Sequence, residues 1–155
     1  MFDAFKSFIA ELRSGHKHPD RFDENDYRLA AAALLIHAAA IDGNVSVAER
    51  NMLHALLKQR FGLDDTSTDK LVEVATVAEH EAVDLYHFTS VLNRSLDEDG
   101  RLRLIEMMWQ IAFADGRVTE FEDNLIWRAA DLLGVSSHER IALRGRAGNK
   151  QNSGA

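Results

Sequence analysis

Four carboxylates, Asp42, Glu49, Asp115 and Glu122, recur at one spacing in two separate stretches. The stretches read Asp42-Gly43-Asn44-Val45-Ser46-Val47-Ala48-Glu49 and Asp115-Gly116-Arg117-Val118-Thr119-Glu120-Phe121-Glu122. Carboxylate, hydroxyl and carbonyl oxygens gathered by a tight turn suit a hard divalent cation, with calcium preferred. A glycine followed by a glutamate at this distance reproduces the latter half of an EF-hand loop, where the glycine permits the turn and the glutamate binds through both oxygens. The first half is missing. Its first and third positions fall on Ala38 and Ala40 in one copy and on Ile111 and Phe113 in the other, all apolar. A self-contained EF-hand site is thereby excluded, and a weaker site, or one assembled where the two copies meet, stays open.

The same residues have a purely structural use. Gly43 and Gly116 suit the left-handed backbone that ends a helix, and Ser46-x-x-Glu49 and Thr119-x-x-Glu122 are capping boxes for the helix that follows. Capping leaves Asp42 and Asp115 unexplained, because each sets a negative charge at the carbonyl end of a helix dipole, disfavoured by ~0.3–1 kcal/mol. Either a bound cation or a neighbouring arginine relieves that strain.

Three further constellations have chemical potential. Ser95, Asp97, Asp99, Gly100 and Glu106 fall on EF-hand positions, but acidic residues around Asp97 also open a helix, and Arg101 and Arg103 crowd any cation. A helix start is the expected outcome. His80, Asp84 and His87 are spaced to share one helical face and reach a single metal, the basis of a metal-dependent hydrolase reading. No His-Glu-x-x-His and no paired Glu-x-x-His helices support it, so a solvated face is expected. His37 falls on an alanine-rich apolar side and reads as a hydrogen-bonded core histidine. Trp109 and Trp127, with Phe113, Met107 and Met108, read as core, and Arg140, Arg144, Arg146 and Lys150 as a solvated basic helix end, with contact to an acidic partner as the alternative.

These residues must be positioned by helices. Nearly every window from Asp26 onward has the 3.6-residue period and none alternates as a half-buried strand does. Helices are predicted over 26–41, 47–61, 67–80, 82–96, 99–114, 120–133 and 137–146. Laying residues 39–51 on 112–124 aligns Ala, Asp, Gly, Val, Glu and Asn, and the flanking apolar positions agree in character. The expected fold is all-α, a pseudo-symmetric bundle of two helix-turn-helix repeats with seven to eight helices. The chain divides into an amphipathic helix over 1–15, a linker over 16–25, the helical domain over 26–146 and a disordered tail over 147–155.

Composition removes several function classes. With 155 residues, 46% hydrophobic and one proline, the chain is long enough for a real core, burying ~68–70% of its extended surface. No cysteine is present, which excludes disulfides, thiol catalysis and cysteine-ligated metal. A formal net charge of -7 repels phosphate backbones, so no nucleic-acid partner is expected. The apolar run Leu29 to Ile41 is shorter than the ~20 residues that span a bilayer. Phe2, Phe5, Phe8, Ile9 and Leu12 give the first helix an apolar side that packs on the domain or touches a membrane surface. No phosphate loop or nucleophile elbow is found, and no enzyme is expected.

The doubled Ala-x-x-Asp-Gly-x-Val-Ser/Thr-x-x-Glu unit, with its flanking helices ending in Phe61-Gly62-Leu63 and Leu133-Gly134-Val135, resembles the tellurite-resistance protein B (TerB) family over about Asp26 to Arg146. The resemblance is to stand-alone members more than to the proteins of tellurite operons. It implies an all-helical bundle without established catalytic activity, a setting of stress or tellurite resistance, and protein assemblies near the cytoplasmic face of the membrane. It further implies that Asp42, Glu49, Asp115 and Glu122 are the cation-side groups. The resulting expectation is a non-enzymatic, cytoplasmic, divalent-cation-responsive scaffold for protein partners. The alternative is a docking module whose corners are purely structural.

Overall fold

A computed structural model describes residues 22–23, 25–41, 43, 45–82, 84–114 and 116–153, with side chains described as far as residue 149. The predicted helix over 1–15, most of the linker, Asp42 and Asp115 lie outside the described residues. Seven helices and no strand are found among them: α1 (Tyr27–Ala40), α2 (Val47–Phe61), α3 (Asp65–Glu81), α4 (Tyr86–Ser95), α5 (Glu98–Ala112), α6 (Glu120–Leu132) and α7 (Ser137–Ser153). The all-α expectation holds.

The hub is α1. Its sequence, apolar on all sides and rich in alanine, combines the strongest helix former with a side chain small enough for neighbours to approach closely. It packs against α2, α3, α4, α5 and α6. Asp26 caps it, accepting from the Arg28 backbone N–H at 2.9 Å, and the Arg28 guanidinium folds back onto the same carboxylate at 2.7 Å. Around the hub, Leu34, Leu35, Leu57, Leu71, Ile105 and Ile126 are 0% exposed. Burial of each contributes about 1.5–3 kcal/mol, so this shared core is what holds the helices in register.

Two boundaries differ from the predicted ones by more than two residues. The helix predicted over 82–96 starts at Tyr86, because Ala82 is extended (ψ 136) and Asp84 turns the chain, its Oδ1 accepting from the Tyr86 N–H at 2.9 Å. The last helix, predicted to end at Arg146 ahead of a disordered tail, continues to Ser153. Its start carries a third box, in which Ser136 Oγ accepts from the Glu139 N–H at 3.1 Å.

Candidate functional site: two acidic corners and the helices over them

The two corners have the same local geometry. Gly43 (φ 93) and Gly116 (φ 101) both take the left-handed region that a Cβ makes costly, and their N–H groups each donate at 3.0 Å, to Ala40 O and Phe113 O. In the first corner the Ser46 N–H donates to Glu49 Oε1 at 3.1 Å while Ser46 Oγ accepts from the Glu49 N–H at 3.0 Å. In the second the Thr119 N–H donates to Glu122 Oε1 at 3.0 Å while Thr119 Oγ1 accepts from the Glu122 N–H at 3.1 Å. Val45 and Val118 pack on the core behind the turns.

Burial sets these glutamates apart from ordinary caps. Glu49 is 1% exposed and Glu122 2%, although capping alone requires no burial of a charged group. A carboxylate taken from water is tolerated only with hydrogen bonds and positive potential around it, and the amino end of a helix supplies part of both. Each corner therefore fixes one acidic group rigidly inside the fold. The oxygens present are of the kind that hold calcium. Among the described residues no group of three or more His, Asp or Glu side chains is clustered to hold a metal, and Asp42 and Asp115 lie outside those residues.

The two units are covered by different helices. α3 lies on α1 and α2, burying Thr68, Leu71 and Ala75, and His37 Nδ1 pairs with Glu79 Oε1 at 2.8 Å. His37 is thus hydrogen-bonded, as expected, but half-buried. Further along, His54 meets Asp69 at 3.0 Å and Lys58 meets Asp65 at 2.9 Å. The Ser67 backbone N–H donated to Asp64 holds that carboxyl below its usual range, and Lys58 does the same for Asp65.

α7 lies on α5. The Arg146 guanidinium reaches Oε2 of the fully buried Glu106 at 3.2 Å, with Arg103 at 3.7 Å from the same oxygen. The Arg144 guanidinium stands 5.4 Å from the Trp109 ring centre and 5.7 Å from that of Phe113. The sequence reading of a solvated basic end missed these contacts. A usable signal existed, since Glu106 sits among Leu104, Ile105, Met107 and Met108 and so demands a counter-charge from elsewhere. Trp127 also departs from its predicted core place. It is 48% exposed, with Arg140 5.6 Å from its ring centre.

The remaining candidates separate. Asp97 caps α5, accepting from the Gly100 N–H at 2.8 Å, and Arg101 donates to Leu96 O at 2.8 Å, so this stretch is the helix start expected of it. His80 ends on α3, Asp84 in the turn and His87 on α4, so the single helical face required for a shared metal does not exist. His87 instead lines an open groove of about 580 Å³ with Tyr86, Ser90, Asn93, Arg94 and Leu132. No described helix is long and apolar enough to cross a membrane.

A family model described as tellurite resistance protein TerB matches residues 28–145, which takes in both corners and all but the last turns of α7. No curated protein matches the chain. No solved structure matches it either.

Proposed function

The chain belongs to the TerB family, and on that premise we propose that it is a non-enzymatic, cytoplasmic scaffold whose acidic corners respond to a divalent cation and whose surface docks other proteins. Asp42, Glu49, Asp115 and Glu122 are the cation-side groups, and calcium is the preferred ion because every donor is a hard oxygen. The setting is one of stress or tellurite resistance, to which the family's description points. The observation that carries this reading is the matched pair of buried carboxylates. Glu49 and Glu122 are locked at 3.1 and 3.0 Å onto their cap amides, in turns whose sequence carries a second acid seven residues earlier, Asp42 and Asp115. Rigid placement of one acid beside another creates negative potential that a small cation relieves. The test is calorimetric titration of the full chain with calcium, magnesium, manganese and zinc, beside Asp42→Asn/Asp115→Asn. Heat and a raised melting temperature with the wild type, lost in the double variant, support the reading. Neither heat nor a shift in the wild type removes the cation half.

One observation favours a second reading. Each glutamate completes a reciprocal capping box, which by itself gives the corner a structural purpose. The protein is then a docking module without metal, and partner capture is unchanged by chelator and by Asp42→Asn.

A further inference from the structure

α7 has little apolar anchorage for its length. Leu143 and Ala147 are its buried apolar side chains among those described, and two weak helix formers, Gly145 and Gly148, lie in its interior. Gly148 lies close to the Phe113 ring, and the side-chain contacts beyond it are cationic. Arg146 meets the buried Glu106, and Arg144 stands over Trp109 and Phe113 with Asp123 3.8 Å away. Both arginines are about half exposed, 47% and 54%, so salt reaches them. An element with few buried apolar contacts opens ahead of the structure it covers.

We propose that α7 is a releasable strap over an acidic and aromatic groove on α5. Once uncovered, the groove takes a partner's basic helix carrying two arginines two residues apart, the pattern α7 itself presents at Arg144 and Arg146. Charge complementarity identifies this occupant. Glu106 and Asp123 attract guanidinium groups, and the faces of Trp109 and Phe113 receive the same planar cation. A neutral apolar helix would remove the Arg146 contact from Glu106 and bring no guanidinium in its place, leaving Arg103 of the same helix, 3.7 Å away, beside the buried carboxylate. Trp109 adds a bias towards opening, because its indole N–H is buried without a hydrogen-bond partner among the described residues, and lifting the strap lets water reach that ring. This inference deepens the docking half of the proposed function and rests on it. It makes no use of a bound cation.

Amide exchange on the full chain tests the strap. Amides of residues 137–149 should exchange about tenfold faster in ~1 M than in ~0.05 M salt, and faster again in Arg144→Gln/Arg146→Gln, while α1 to α6 keep their protection. Gly145→Ala, whose new Cβ meets nothing within 4 Å, should slow the same amides. A synthetic peptide of residues 137–153 then probes the groove. It should bind Arg144→Gln/Arg146→Gln about tenfold more tightly than the wild type, and the triple variant with Glu106→Gln should lose that gain. Salt-independent exchange of α7, or its opening only together with α1 to α6, overturns the strap. Equal peptide binding by wild type and double variant, or binding by neither, overturns the groove. Those failures with the heat of cation binding retained remove this inference alone, whereas loss of both signals removes the proposed function too.

Discussion

The α1–α2 and α5–α6 units share a corner but differ in what covers them. Gly43 and Gly116, Ser46 and Thr119, and Glu49 and Glu122 are placed alike, down to the reciprocal pair of hydrogen bonds at each cap. Over the first unit lies α3, which buries Leu71 and Ala75 completely. Over the second lies α7, joined to α5 through Arg144 and Arg146. Both covers bury one leucine and one alanine and both carry charged pairs, but α3 adds Val72, Val74 and Ala78 against the core, so salt screening takes a larger share of what holds α7. One repeated corner thus sits under two covers of unequal apolar anchorage, and the proposed strap is the less anchored of the two.

The sharpest way to break this comparison is to truncate one anchor in each cover. Leu71→Ala should lower global stability by about 2–5 kcal/mol in denaturant titration, because a fully buried leucine leaves a cavity. Leu143→Ala should cost less globally and show mainly as faster amide exchange within α7. Equal shifts of the global midpoint would show that the covers do not differ.

The equivalence of the corners is open to a matched pair of cap deletions. Ser46→Ala and Thr119→Ala should each cost about 0.5–2 kcal/mol, the usual value of an N-cap hydroxyl, and the two midpoints should shift alike. A first-corner variant that is silent beside a damaging second-corner one would dissolve the equivalence.

A smaller effect distinguishes the covers by pH. Asp64 and Asp65, at the start of α3, have depressed values, through the Ser67 N–H and Lys58 respectively. Their contribution is present above the unfolded carboxylate value, about 3.9, and is lost as pH falls through the lower folded values. Amide exchange at the first turn of α3 should therefore quicken below about pH 4, and Asp64→Asn should remove part of that dependence.

Local patterns were legible where sequence neighbours alone decide the outcome. The 3.6-residue period, the Ser46 and Thr119 boxes and the Asp97 cap are contacts within a few residues, and all fall where the sequence places them. What escaped was tertiary. Arg144 and Arg146 read as solvated because periodicity names a polar face without saying what lies opposite it, and here that is Trp109 and buried Glu106. Trp127 read as core for the converse reason, since a large apolar side chain does not reveal that its neighbour is a guanidinium. The break predicted at residue 81 is wider than the sequence suggests, because Ala82 carries no strong breaker signal and it is Asp84, capping the Tyr86 amide, that sets the start of α4. Burial of Glu49 and Glu122 was likewise invisible, since a capping box is equally compatible with an exposed glutamate.

Hydrogen exchange of residues 39–51 and 112–124, followed with and without saturating calcium, tests the cation-responsive corners most directly. Slower exchange at both corners in calcium, abolished by Asp42→Asn/Asp115→Asn and absent from α7, is the predicted result. Identical exchange at both corners with and without the ion contradicts it.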